Sequence, residues 1–221
     1  AALYPASNWI AGSMPLAQCW SKEWTTLVGL RNDTVWMDTG NVQGYNSYLS
    51  PACLADPNST ACMWHYADDA AAFDARGHAK TDVDFDVTAL ARWTPSPTFE
   101  GEVGYARKTR SPNFYERYAW STSGMSASMI SWSGDANGYV GNLDLKPEIA
   151  NTFSTTAKLH DAERKDWEIT ITPWISWVQD FIDADRTAAQ PGMFKANQPQ
   201  FVLLRFANHD ALLYGFDASG K

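Results

Sequence analysis

The sequence predicts an all-β chain whose antiparallel strands form part of a transmembrane β-barrel. Three observations point there. Extended segments alternate between apolar and polar residues, the connections between them alternate between long and short, and aromatic residues gather near both segment ends. A strand with one greasy and one wet face separates two media. In an outer-membrane barrel the greasy medium is lipid.

Six segments carry the alternation. Trp24 to Asp38 places Trp24, Val28, Leu30 and Trp36 on one side, and Arg31 and Asp33 on the other. Lys80 to Trp93 is the clearest. One parity reads Thr81, Val83, Phe85, Val87, Ala89, Ala91, Trp93, and the other carries Lys80, Asp82, Asp84, Asp86 and Arg92. In the segment 98–109, Phe99, Val103 and Tyr105 oppose Glu100, Glu102 and Lys108. Glu148 to His160 sets Ile149, Phe153, Ala157 and Leu159 against Glu148, Thr152, Ser154, Thr156, Lys158 and His160, with Asn151 and Thr155 interrupting the apolar side. Trp167 to Phe181 sets Trp167, Ile169, Ile171, Ile175, Trp177 and Phe181 against Glu168, Thr170, Thr172, Ser176 and Asp180, with interruptions at Pro173 and Gln179. Phe201 to Lys221 reads as one long strand with a break near His209 and Asp210.

The connections support an up-and-down order. Thr94-Pro95-Ser96-Pro97 and the polar stretch from Asp161 to Asp166 read as tight turns. The connections near 39–79, 110–147 and 182–200 are long. All short turns then fall at one end and all long loops at the other, as in outer-membrane barrels. Trp24, Trp93, Phe99 and Trp167 lie near the short-turn end, and Trp36, Trp177 and Phe181 near the opposite end, as two interfacial belts. The competing reading is a soluble β core filled by the eleven tryptophans.

Composition narrows the class. A net charge of −8 without a basic cluster argues against nucleic acid. No apolar run is long enough for a transmembrane helix, which leaves barrel strands untouched. The N-terminus lacks a signal peptide's charged start and apolar run, so a mature chain or a fragment is expected. The region before Ser21 leaves little room for a strand. No catalytic constellation stands out among His65, His78, His160 and His209, and no enzyme is expected.

The cysteines are Cys19, Cys53 and Cys62. Cys53 and Cys62 share one expected outer loop and are a disulfide candidate for an oxidising exterior, the alternative being free thiols. Cys19 is left over.

Two passages resemble a known family. Gly104-Tyr105-Ala106-Arg107-Lys108-Thr109-Arg110-Ser111-Pro112-Asn113-Phe114-Tyr115-Glu116-Arg117-Tyr118 resembles the strand-to-loop passage of TonB-dependent outer-membrane receptors, where Arg-Ser-Pro is followed by Tyr-Glu. The motif residues here are Arg110, Ser111, Pro112, Tyr115 and Glu116. Gly141-Asn142-Leu143-Asp144-Leu145-Lys146-Pro147-Glu148 resembles their Asn-Pro-x-Leu-Lys-Pro-Glu passage through Asn142, Leu145, Lys146, Pro147 and Glu148, with Leu143-Asp144 where Pro-x is usual. Tyr214-Gly215-Phe216-Asp217 resembles a later Tyr-Gly-x-Glu passage.

The resemblance implies a set of about six strands from a 22-stranded barrel of the outer membrane. Residues 1–221 would be a fragment of the barrel domain, with plug and terminal strands outside it, since an open sheet edge in lipid is not viable. It further implies import of a scarce solute with energy passed by TonB through the plug, in a setting of outer-membrane lipid and lipopolysaccharide. Physically, Arg110 and Lys146 would pair with Glu116 or Glu148 at a polar rim.

The expected substrate is a transition metal or metal chelate. Met125 and Met129 lie four apart in one outer loop, and Met63 and His65 follow Cys62 in another. Soft sulfur with imidazole suits copper, and the copper receptors are one branch this region resembles. The opposing reading is methionine as packing material. A siderophore, haem or cobalamin is the alternative cargo, through Trp120, Trp132 and Tyr139, which otherwise pack the loop on itself. The rivals from other classes are a soluble β-sandwich binding module, whose apolar faces would meet each other, and a barrel hydrolase, which would need a Ser–His pair in the lumen.

Overall fold

A computed structural model describes residues 6–43, 55, 66–122, 134, 137–163, 165–187 and 202–221. Its strands are β1 (Ala6–Cys19), β2 (Trp24–Asp38), β3 (Lys80–Ser96), β4 (Phe99–Arg110), β5 (Gly138–Val140), β6 (Glu148–His160), β7 (Glu168–Arg186) and β8 (Leu203–Gly220). Two helices stand in the long connections, α1 (Tyr66–Asp74) and α2 (Phe114–Tyr118). One sheet contains every strand, in the order β1-β2-β3-β4-β6-β7-β8-β5. Apart from β5, which runs parallel to β8, all neighbours are antiparallel and consecutive.

The six expected strands are all present, and two more join them. The chain before Ser21 does hold a strand: β1 pairs along its whole length with β2, from Ala6↔Asp38 to Cys19↔Thr25. A tight turn makes this fit. Trp20 N–H donates to the Trp24 carbonyl at 3.0 Å, and Ser21 Oγ accepts from Glu23 N and Trp24 N at 3.2 and 3.1 Å. The second addition is β5, inside the connection from β4 to β6. The connections now alternate from the start, with short turns at 20–23, 97–98 and 161–167 opposite the long loops.

Expected irregularities have physical forms. Pro173 does not end β7, but the β6–β7 ladder skips from Ser154↔Trp174 to Ala157↔Ile171 beside it, because proline has no N–H to donate. The break near His209 and Asp210 is a bulge where the β7–β8 register shifts between Val178 and Phe181. Asp180 takes φ 54° there, a left-handed conformation that a short polar side chain tolerates.

Burial is inverted relative to a water-soluble sheet. Val83, Phe85 and Trp93 of β3 are exposed, as are Val103 of β4, Phe153 and Leu159 of β6, Ile169, Ile171 and Trp177 of β7, and Tyr214 and Phe216 of β8. The other face holds Asp84, Asp86, His160 and Ser176, all buried. A curved sheet crowds the side chains on its concave side, and here that side is polar. Leu27 and Leu213 are exposed leucines on the polar side. No second layer covers the apolar face among the described residues. The buried apolar clusters instead gather at the long-loop end: Met37, Phe73, Tyr118 and Leu143 in one, Tyr139, Leu145, Ile182 and Phe206 in the other. The soluble sandwich needs two apolar faces packed together, and this sheet has one, facing outward.

Candidate functional site

The two motif passages meet at the rim where the long loops begin. β4 ends at Arg110, and Ser111-Pro112-Asn113 turns the chain into α2. Asn113 caps that helix. Its Oδ1 accepts from Glu116 N at 2.9 Å, while Glu116 Oε2 accepts from Asn113 N at 2.7 Å. This reciprocal capping explains the spacing of Asn113 and Glu116.

Glu116 has no exposed surface. Its charge is met by Arg110, whose Nη1 donates to Oε1 at 3.1 Å and to Oε2 at 2.9 Å. The same guanidinium spans to the first residue of β6, with Nε donating to Glu148 Oε1 at 2.7 Å and Nη2 to Oε2 at 3.1 Å. Glu148 Oε2 also accepts from Ile182 N at 3.1 Å, which ties in β7. Arg110 therefore pairs with both expected carboxylates. Lys146 does not: its Nζ lies 3.7 Å from Asp180 Oδ1, beside the bulge. Its backbone is the stronger link, since Lys146 N donates to Asn208 Oδ1 at 2.9 Å and Asn208 Nδ2 donates back to the Lys146 carbonyl at 3.1 Å.

Asn142 explains the other passage. Its backbone N–H donates to the Glu116 carbonyl at 2.8 Å, its Nδ2 to the Phe206 carbonyl at 3.0 Å, and its Oδ1 accepts from Asp144 N at 3.0 Å. One residue thus joins α2 through its backbone, and β8 and its own turn through its side chain. Leu143 and Leu145 enter the two rim clusters. Gly141 passes so close to α2 that an added Cβ would sit 2.7 Å from Ala119 N and 3.0 Å from the Arg117 carbonyl atoms.

Several contacts of this rim involve residues with no motif signal. Arg117 is 1% exposed and donates from Nη1 to Asp82 Oδ2 at 2.7 Å, and from Nη2 to Asp82 Oδ1 at 3.2 Å and to the Leu145 carbonyl at 3.0 Å. Ser111 Oγ donates to Asp84 Oδ2 at 2.8 Å. Tyr118 donates to the His78 carbonyl at 2.7 Å, and burial pushes its hydroxyl pKa up to about 12. The alternation of β3 places Asp82, Asp84 and Asp86 on the wet face; the passage into α2 gives Asp82 and Asp84 their partners, while Asp86 accepts from Thr109 N of β4.

Among the described residues the rim is a structural latch of ion pairs and caps. Of the motif side chains, Tyr115 at 64% and Lys146 at 72% exposure project most. Met63, His65, Met125, Met129, Cys53 and Cys62 lie outside the described residues, as does Trp132. The Cys19 side chain likewise lies outside the described residues. Among the described residues no three His, Cys, Asp or Glu side chains form a metal-holding group. Tyr139 is 3% exposed and stacks on Phe206 with ring centroids 5.6 Å apart, and Trp120 packs against the Met37 cluster. Both aromatics serve loop packing.

Residues 12–221 match the family model described as TonB dependent receptor-like, beta-barrel. The chain belongs to this family. Its relatives are receptors and transporters of the Gram-negative outer membrane, and that is where a sheet with an outward apolar face is placed. No curated protein sequence matches the chain. Among solved structures, the copper transporter OprC is similar at a TM-score of 0.63 and 13% identity, over 98% of this chain and 26% of that one. The Serratia marcescens hemophore receptor HasR, in complex with its hemophore HasA and heme, is similar at a TM-score of 0.61 and 12% identity, over 97% of this chain and 31% of that one. At these identities the likeness is one of fold. The receptor-barrel chain spans about a quarter to a third of the length of these structures.

Proposed function

We propose that residues 1–221 form part of the barrel wall of a TonB-dependent importer, with the plug and the remaining strands supplied by sequence outside this chain. The outer loops capture a scarce solute. Energy passed by TonB through the plug then releases it inward along the polar lumen, and the solute undergoes no chemistry. The carrying observation is the inverted burial, with the apolar face outward toward lipid and lipopolysaccharide and a charged inner face latched at the loop end.

The proposed substrate is a transition metal, copper first, or a metal chelate. Its support is the donor chemistry of Met125, Met129, Met63 and His65 in two loops rooted at the same rim. A siderophore, haem or cobalamin reading loses two of its three aromatic candidates, because Tyr139 and Trp120 are engaged in packing. The test uses the intact receptor in cells with and without TonB. Copper uptake that needs TonB and falls at least tenfold in the Met125→Ala, Met129→Ala double variant supports the reading. Unchanged copper binding and uptake in that variant removes the copper assignment. TonB-independent uptake removes the importer assignment.

A further inference from the structure

Arg107 is a cation on the apolar face of the sheet. It shares the parity of Phe99, Val103 and Tyr105 on β4, and Val103 is exposed on the lipid side. An ionised side chain there is costly unless something compensates it. Among the described residues no carboxylate pairs with Arg107. The nearby carboxylates Asp86, Glu116 and Glu148 are taken by Lys108 and Arg110. Part of the guanidinium has a structural duty. Where the β3–β4 ladder ends at Val87↔Arg107, Arg107 Nη1 and the Thr109 hydroxyl both donate to the Phe85 carbonyl. Nη1 also donates to Thr109 Oγ1 at 3.0 Å. Nε and Nη2 have no partner among the described residues.

Asn151 stands beside Arg107 in the β4–β6 register, and Trp177 beside Asn151 in the β6–β7 register. The Tyr105 hydroxyl donates to Asn151 Oδ1 at 2.9 Å, which leaves Nδ2 available as a donor. Trp177 is exposed near the long-loop end, where an aromatic belt marks the boundary between headgroups and acyl chains. Below this row, on the same face, lies a groove of about 340 Å³ whose lining includes Val103, Phe153, Thr155, Pro173 and Ile175. Val103 is four residues below Arg107, about 13 Å along the strand. Phe153 packs against Tyr105 with ring centroids 4.8 Å apart and against Trp177 at 5.9 Å. Aromatic rings thus divide a polar row from an apolar groove.

We propose that this face binds a phosphorylated lipid of the outer leaflet, the lipid A part of lipopolysaccharide. A phosphate accepts from Arg107 Nε and Nη2 and from Asn151 Nδ2, and an acyl chain lies in the groove toward the membrane centre. The bidentate guanidinium–phosphate pair supplies the counter-charge that the protein does not. The proposal rests on the barrel reading, with its apolar face toward lipid, and is independent of the imported solute.

Native mass spectrometry of the intact receptor in detergent tests this, with lipid A and the same lipid stripped of its phosphates as probes. Wild type should prefer the phosphorylated form by about tenfold or more. Arg107→Gln should lose that preference, since it keeps an amide donor for the Phe85 carbonyl but carries no charge. Asn151→Asp should lose it without touching that carbonyl, because its carboxylate would pair with Arg107 and repel phosphate. Both variants should bind the stripped lipid as wild type does, which reports an intact face. Thr155→Trp fills the groove and should weaken both lipids alike. The proposal is overturned by no preference in wild type, a preference kept in either polar variant, or unweakened binding in Thr155→Trp. Displacement of lipid A by excess inorganic phosphate would also overturn it. TonB and copper enter none of these readouts, so a failed import assay leaves them standing.

Discussion

Arg117 and Asp82 form a bidentate ion pair at 2.7 and 3.2 Å across 35 residues of chain, with the guanidinium sealed at 1% exposure. This contact fastens α2 to β3 and, through the Leu145 carbonyl, to the passage that opens β6. A buried pair adds little net stability over an apolar substitute, but removing one partner strands the other.

Arg117→Ala is therefore expected to destabilise the rim by about 3–5 kcal/mol. Limited proteolysis of the intact receptor should show faster cutting on either side of α2, with the strands still protected. Arg117→Lys should recover only part of the loss, since an ammonium cannot span both Asp82 oxygens and the Leu145 carbonyl.

Gly141→Ala tests the close approach of the chain to α2. The new Cβ would meet backbone atoms at 2.7 and 3.0 Å, which cannot swing aside. The expected cost is about 1–3 kcal/mol. It should be read as lost amide protection at Gly141 and Asn142, whose N–H groups donate to the Ala119 and Glu116 carbonyls.

Face orientation predicts an asymmetry between charged substitutions. Val103, 58% exposed and near the middle of β4, points to lipid. Val103→Arg should cost about 2–4 kcal/mol in a membrane. Thr156→Lys, on the wet face beside the native Lys158, should cost far less. Folding yield into lipid vesicles compares them, and equal penalties would contradict the assignment of faces.

Asp161 predicts an acid-sensitive turn. Desolvation pushes its carboxyl up, but N–H donors from Lys165, Trp167, Asp166 and Glu163 together outweigh it and hold its pKa below the usual 3.8. The stabilisation is thus present above that value and lost as pH falls through the lower native one. Asp161→Ala should lower the unfolding midpoint at neutral pH, and the gap from wild type should close in acid.

The β3 face was legible because alternation is a local property: every second residue from Val83 to Trp93 announces its medium. So was the bulge near His209 and Asp210, because a parity break shows in any strand. β1 was not, since apolar and polar residues of Ala6–Cys19 fall on both parities and Pro15 sits mid-strand. Three-residue β5 was beyond reach, because its pairing with Leu203 to Arg205 is parallel and distant in the chain. At the rim, Arg110 with Glu116 and Glu148 could be expected from motif charges. The choice of Asp180 and Asn208 for Lys146 could not, because those residues lie across a bulge whose geometry no local pattern encodes.

By itself the sequence determined which side of each long strand meets hydrocarbon and which meets water, because a period of two residues assigns faces without any knowledge of neighbours. Only the tertiary structure decided which charges meet. Arg117 finds Asp82, and Asp84 faces Asp33, through strand register and loop return. Those depend on lateral hydrogen bonding between segments far apart in the chain.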